Sequence, residues 1–425
     1  MTYDLAIVGA GPAGLMAAKT AAELGVKVAV IEKKKEVSRI TRACCQQLVM
    51  DENYEKESIE LQQGKIIFPR NGFAVDYRGT TVTVTDTYFI SPRGHKVHFS
   101  YEDKRPIAIK FDKGLLLQSL WEKCEKSGVE FRNSTLAYHA KDSSNGVEVH
   151  MSARGKKSTL TAKKLIIADG VNARIAEVLG MNQGRTPITT AFCIIYTVEG
   201  VKDFERTALK WHMGLTYQSK APVIIGPSLE DKNQADIVIM GSKQDPPEHI
   251  YQNFITKSPL ASMVGQSNVV SKMGCTVKAM TPMKVPHQGN VLVIGDAAAY
   301  IEVETQGGLM CGYHAGSAVY KELQRKDGFK EYTTWWCNSF EFNSDQYLRV
   351  AQGYALVPTY TDEELDYLFS LIEERILEGA YGQYKAPRLL WDAILHHREK
   401  IQKERPALYE KIKKNSEITL KGTFK

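Results

Sequence analysis

The sequence predicts an α/β fold: a Rossmann-like domain interrupted by a discontinuous antiparallel β-sheet domain and followed by a C-terminal helical lobe. Three observations carry this. An apolar strand, a glycine-rich turn, a helix and a second strand follow one another within the first 32 residues. Two later strand-then-turn signals end on Asp169-Gly170 and Gly295-Asp296, in an order that one parallel sheet accommodates. Between these signals lie two stretches of alternating apolar and polar residues that a single Rossmann unit cannot absorb.

Leu5 to Val8 reads as a buried parallel strand, and Gly9, Gly11 and Gly14 follow at G-x-G-x-x-G spacing. Leu15 to Leu24 carries helical periodicity, and a second strand, Val26 to Ile31, ends on Glu32 and Lys33. The glycines allow a tight turn, close backbone approach to a pyrophosphate, and close packing of helix on strand. The helix start offers free N–H groups and a positive dipole end to phosphates. Glu32, at the strand tip, is placed to accept hydrogen bonds from a ribose diol. This unit is expected to bind a dinucleotide.

The first alternating stretch holds strands at Lys65 to Phe68, Thr80 to Thr87 and Lys96 to Tyr101, with turns at Arg70 to Gly72 and Pro92 to Gly94. A helix is expected from Lys110 to about Lys126, then strands at Val129 to Phe131 and Gly146 to Met151. The second stretch holds Thr190 to Val198, Ala221 to Ile225 and Ala235 to Met240, interrupted by a helix from His249 to Thr256. After the strand at Val291, residues Gln306 to Gly312 open a small-residue helix through Val319. Trp335, Trp336, Phe340 and Phe342, then Leu365 to Leu377, read as helices. The expected division is a Rossmann-like domain from residues 1–64, 110–185 and 276–328, a substrate domain from 65–109 and 186–275, and a helical lobe from 329–425.

Composition narrows the class. Of the 425 residues, 43% are hydrophobic and 24% charged, ordinary for a globular chain. No run approaches the ~18 apolar residues of a membrane span. The first strand begins next to Met1, leaving no room for a signal peptide, so a cytoplasmic protein is expected. Seven cysteines with no C-x-x-C pair argue against a metal site, a cysteine-ligated iron–sulfur cluster and a secreted disulfide framework. Part of the net charge of +6 sits at Arg398, Lys400, Lys403, Arg405, Lys411, Lys413 and Lys414. A solvated helical face is the ordinary reading; attraction to an anionic membrane surface is the sharper one. No nucleic-acid-binding module is recognisable.

The three motifs together resemble the FAD-binding signature of flavoproteins built like the aromatic hydroxylases and geranylgeranyl reductases. Further residues resemble the geranylgeranyl reductase family, grouped with FixC-like dehydrogenases. These are Arg42 to Leu48 with its cysteines, the strand pair around Ile90 to Val97, the helix entry at Lys110 to Leu115, and Gly307 to Leu309 after Gly295-Asp296. Carried over by position, the resemblance implies FAD contacts at Gly9, Gly11, Ala13, Gly14, Glu32, Lys33, Ala43, Cys44, Gln46, Lys110, Leu136, Asp296, Gly307, Gly308 and Leu309. The chain departs from the family at Cys44-Cys45-Gln46-Gln47, at Ala221 to Pro227 and at Glu302 to Glu304, changes that predict a more polar pocket than a prenyl tunnel.

The resemblance implies an FAD-dependent reductase that saturates a carbon–carbon double bond of a hydrophobic, isoprenoid-type substrate by hydride transfer from flavin N5. Cys44 and Cys45 are the catalytic candidates, as a proton-donating thiol, whose pKa Arg42 would lower, or as a vicinal disulfide; buried packing is the alternative. Glu302 and Glu304 are candidate acids. No second glycine motif is present, so electrons would come from transiently bound NAD(P)H or from a protein such as reduced ferredoxin. A flavin-dependent aromatic monooxygenase and a FixC-like electron-transfer dehydrogenase passing electrons to quinone are the rival readings.

Overall fold

The strand Thr2–Val8 occupies the middle of an eight-stranded sheet, parallel to Val28–Ile31 on one side and to the end of Lys156–Ile167 on the other. In a computed structural model of the chain, residues 2–201, 204–344, 356–379, 382 and 385–415 are described. Val8 pairs with both Ile31 and Ile167, so three strands end at one level and deliver Gly9, Glu32 and Ala168 to a common edge. Val291–Val293 joins the end of Lys156–Ile167 in parallel and brings Gly295 and Asp296 to the same edge. These short strands are buried throughout, as parallel strands covered on both faces require.

Helices Pro12–Glu23 and Glu304–Leu323 pack on each other with unusually close backbones. A Cβ at Gly312 would stand 2.4 Å from the Ala13 carbonyl oxygen, so this crossing needs glycine. The first half of Lys156–Ile167 instead pairs antiparallel with Gly146–Ala153, which pairs with Thr135–Ser143.

A second eight-stranded sheet draws on both insertions and on the C-terminal lobe. Its order runs Asn268–Met280, Pro187–Glu199, Gln234–Gly241, Val223–Pro227, Ala208–His212, Asp86–Ile90, Lys96–Ser100, Ile376–Glu378. Parts of both insertions therefore form one sheet, antiparallel except at two joins, whereas Lys65–Phe68 pairs with Glu60–Gln62 and Phe73–Asp76 in a separate small sheet. Ala208–His212 runs parallel to Asp86–Ile90, and Ile376–Glu378 runs parallel to Lys96–Ser100. Both exceptions join strands from different chain segments, where no hairpin dictates direction.

Three sequence expectations are corrected. Thr80 to Thr87 is not one strand: Thr81–Val84 belongs to a small sheet, and Asp86–Ile90 to the large one. The amides of Thr85 and Asp86 both donate to the Thr207 carbonyl, which fixes the bend. Lys110 does not start a helix; it lies in the strand Ala108–Phe111, and the helix Lys113–Lys126 begins after Asp112, whose side chain caps Leu115 N at 3.0 Å. Leu365 to Leu377 is not one helix. The helix Asp362–Ser370 opens on a capping box of Thr361 and Glu364 and stops, and Ile376–Glu378 is a strand, because edge pairing to Lys96–Ser100 overrides its local helical pattern.

The lobe has its own core of Leu365, Leu368, Phe369, Leu390 and Ile394, which Phe89 and Phe99 of the large sheet complete. Of the basic C-terminal residues, Lys411 pairs with Glu364, and Arg405 lies over the Tyr367 ring. Among the described residues no helix is long and apolar enough to cross a membrane.

Candidate active site

The strand ends and the large sheet enclose one continuous cavity of about 1070 Å³. That is at the upper end of the range for small-molecule sites, with room for a dinucleotide and a second molecule. At its nucleotide end the three glycines divide their work. A Cβ at Gly9 would meet the Ala168 carbonyl at 2.3 Å, and one at Gly14 would meet the Gly9 carbonyl at 1.9 Å, whereas nothing lies within 4 Å of one at Gly11. Gly9 and Gly14 thus serve packing, and Gly11 leaves backbone open to the cavity.

Glu32 is buried and held by two amides, Ala10 N and Lys34 N, each at 2.8 Å. Its carboxylate is anchored as a rigid acceptor at the cavity wall. Asp169 accepts from Ile175 N through one oxygen at 3.3 Å. Its other oxygen is buried with no partner, and burial holds the carboxyl above its usual pKa. A buried polar atom without a partner is costly, and a hydrogen-bond donor on a bound ligand would remove that cost. Asp296 accepts from Val303 N at 3.0 Å and thereby closes the loop that carries Glu302 and leads into the helix starting at Glu304. The open backbone at Gly11, the anchored Glu32 and the unpartnered Asp169 oxygen fit a dinucleotide lying across the strand ends.

The opposite wall is one face of the large sheet. Successive strand residues point to opposite faces, so Cys193 and Ile195 share the cavity side. Ile195 is opposite Val238, Val238 opposite Ile224, and Ile224 opposite Trp211. All of these side chains line the cavity and make a continuous apolar row. The polarity predicted from the glutamines and glutamates is confined to the other side, so the cavity is polar at the strand ends and apolar across the sheet.

The segment Thr41 to Gln46 crosses between these walls. Ala43 N donates to the Gly274 carbonyl at 3.4 Å, and Arg42 donates to the Thr276 carbonyl at 3.3 Å. Cys44 and Cys45 are both free thiols and not a vicinal disulfide. Burial pushes the Cys45 thiol well up. The cation beside Cys44 is Lys113, whose Nζ lies 3.4 Å from the sulfur, and not Arg42, which lies against Cys275. Burial opposes the charge on Lys113, but Cys44, Asp296 and Glu302 outweigh it and hold its pKa above the ordinary lysine value.

Glu302 and Glu304 both line the cavity. Glu302 keeps accessible surface where it lines the cavity. Desolvation, reinforced by Asp296 for Glu302 and by Glu302 and Glu55 for Glu304, pushes these carboxyls up to about 7 and about 8. Glu304 also adopts left-handed backbone, with φ 58°. That conformation costs a non-glycine residue roughly 1–3 kcal/mol.

Of the residues expected to contact cofactor, Gly9, Gly11, Ala13, Glu32, Lys33, Ala43, Cys44, Gln46, Leu136, Asp296 and Gly308 line the cavity, as does Cys45. Gly14, Gly307 and Leu309 stand behind it as packing: Phe340 would meet a Cβ at Gly307 at 2.9 Å, and Leu309 is fully buried. Lys110 does not reach it. Its ammonium donates to the Pro227 carbonyl at 2.8 Å and pairs with Asp236. Lys113, Cys193 and Cys275 were not singled out from sequence. Lys113 could have been found by placing the helix start at Asp112, but no local pattern marks the two cysteines.

The model of the FAD binding domain family matches residues 2–309. The digeranylgeranylglycerophospholipid reductase of Methanosarcina acetivorans is 26% identical over 412 residues, covering 92% of this chain and 95% of that protein. Its counterpart in Methanococcus vannielii is 25% identical, covering 92% and 97%. A geranylgeranyl bacteriochlorophyll reductase-like protein from Thermoplasma acidophilum, at 16% identity, superposes with a TM-score of 0.74 over 97% of this chain and 99% of that one, and so shares the fold. The chain belongs to the FAD binding domain family and is a geranylgeranyl reductase-like, FAD-dependent oxidoreductase.

Proposed function

We propose that this protein is a reductase that saturates a carbon–carbon double bond in a long hydrophobic, isoprenoid-type substrate. The observation that carries the reading is the apolar row Ile195, Val238, Ile224 and Trp211, which forms one wall of the same cavity as the dinucleotide cradle. The relatives named for reduction of a digeranylgeranylglycerophospholipid support it. Bound FAD, once reduced, supplies a hydride from its N5.

The chain's own residues then have distinct tasks. Gly9, Gly11, Ala13, Glu32, Lys33 and Asp169 hold the nucleotide end. Ala43, Cys44, Gln46, Leu136, Asp296 and Gly308 surround the rest of the cofactor, with Lys113 in the place expected of Lys110. The sheet face orients the substrate and excludes water. A proton must reach the second carbon, and three groups that line the cavity are its candidate donors: the Cys44 thiol beside Lys113, and the raised carboxyls of Glu302 and Glu304, which hold protons near neutral pH. Electrons arrive from transiently bound NAD(P)H or from a ferredoxin-like protein. The basic C-terminal helices bring the protein, a cytoplasmic one, to an anionic membrane surface that holds the substrate.

The test is turnover without oxygen. Dithionite-reduced protein is mixed anaerobically with a geranylgeranyl lipid, and the product should gain two hydrogens per double bond. A hydroxylated product formed only with oxygen would replace this reading with the monooxygenase. Rapid electron transfer to a quinone with the lipid unchanged would replace it with the electron-transfer dehydrogenase.

A further inference from the structure

Four of the seven cysteines, Cys44, Cys45, Cys193 and Cys275, line the cavity. Two of them stand in a relation that packing does not require. Cys193 and Cys275 are directly opposite each other in the antiparallel ladder between Pro187–Glu199 and Asn268–Met280. Opposed residues in such a ladder have Cα atoms about 4.5–5.5 Å apart, within the roughly 4.4–6.8 Å that a disulfide spans. Both thiols are free, and they pack in one cluster as direct cross-strand neighbours.

Arg42 is held over Cys275. The contacts from Ala43 N to the Gly274 carbonyl and from Arg42 to the Thr276 carbonyl bracket that cysteine on either side, and set the guanidinium's charge against its sulfur. A cysteine used only as apolar filling has no need of a guanidinium. The neighbouring Cys193 thiol and then Arg42 outweigh burial and hold the Cys275 thiol below its ordinary value, while the same pairing holds Cys193 above. One sulfur is thus prepared as the nucleophile, and its neighbour keeps the proton.

We propose that Cys193 and Cys275 form a redox-active dithiol, a thiol–disulfide exchange site on the substrate wall that a low-molecular-weight dialkyl disulfide oxidises to a cross-strand disulfide. Cys275 attacks as thiolate; the small disulfide's sulfur–sulfur bond breaks, a mixed disulfide forms, and one alkyl thiolate leaves and takes up a proton. Cys193 then gives its proton to solvent, attacks the Cys275 sulfur and expels the second alkyl thiolate, which is protonated in turn. Counted from the neutral dithiol, the protein loses two electrons and two protons, one of them when Cys275 ionises, and the small disulfide gains them as two thiols. Oxidation takes the thiolate from Arg42 and ties two strands together beneath the substrate. The proposal does not depend on which substrate the cavity receives.

The experiment uses full-length, FAD-loaded protein, reduced, freed of reductant and incubated under nitrogen with 2-hydroxyethyl disulfide. After acid quenching and alkylation, intact mass and peptide mapping are read. The expected result is loss of two hydrogens with no retained adduct, and a linked pair of peptides carrying Cys193 and Cys275. Cys193→Ser should stop at one stable hydroxyethylthio adduct on Cys275. Cys275→Ser should leave Cys193 reacting at least about tenfold more slowly than Cys275 does in the wild type. Retained adducts with no link in the wild type, or a link from either cysteine to Cys44 or Cys45, would overturn the proposal.

Discussion

Lys113 Nζ lies 3.4 Å from the Cys44 sulfur, while Lys110, three residues earlier, is turned away and paired with Asp236 on the large sheet. The two lysines divide between cavity and scaffold because the chain changes from strand to helix between them. A residue in Ala108–Phe111 obeys the two-residue alternation of a strand. Lys113, in the first turn of the helix, faces the segment that crosses the cavity.

Cys44→Ser keeps size and a hydrogen-bond donor beside Lys113. FAD content and folding should be nearly unchanged, and turnover should fall at least about tenfold, on the order of 1.4 kcal/mol. Absorbance at the flavin band and steady-state rates under nitrogen check this. Cys45→Ser is the control, since Cys45 packs with the cluster around Cys193 and Val238; wild-type rates in both variants would move the proton donor to Glu302 or Glu304.

Substituting the two lysines should separate stability from function. Lys110→Met removes the buried partner of Asp236, which should lower unfolding free energy by about 3 kcal/mol. Lys113→Met should leave the urea midpoint close to wild type and depress turnover instead. Equal destabilisation in the two variants would contradict this division.

Asp296→Ala removes a cavity carboxylate and the acceptor for Val303 N. Flavin retention should weaken by roughly tenfold, about the loss of one hydrogen bond to a charged group. Flavin released on dilution or gel filtration reports it directly.

The raised carboxyls predict a pH dependence of the flavin-free protein. Glu302 and Glu304 bind protons more tightly when folded, at about 7 and about 8, than at the ordinary glutamate value of 4.5. The unfolded chain therefore releases these protons first, and stability is lost as pH rises from about 4.5 through about 8. Glu302→Gln/Glu304→Gln should match the wild-type urea midpoint near the lower bound and exceed it increasingly towards the upper one. A constant gap across that window would show that the two groups titrate normally.

Legibility followed sequence distance. The unit Leu5 to Glu32 was readable because its tasks are local: strand, turn, helix and acid are consecutive, and their spacing alone brings Gly11 and Glu32 to one edge. Asp169 and Gly295-Asp296 were readable as strand ends, because a short buried strand announces itself by composition. The helical tail was read less well. Ile376–Glu378 has a helical pattern, but an open edge on Lys96–Ser100 offered hydrogen bonds that local preference could not match.

What the sequence by itself determined is the dinucleotide-binding unit, the α/β class and the two β-rich insertions, since each rests on periodicity and on spacings of a few residues. Tertiary structure alone decided the strand order of the sheet that the insertions share and the strand the C-terminal lobe adds to it, that Lys113 and not Lys110 faces Cys44, and that Cys193 meets Cys275. Those relations depend on strand register and on the phase of a strand-to-helix junction. A shift of one residue in register reverses which face every side chain takes, and nothing near Cys193 or Cys275 in the chain records that choice.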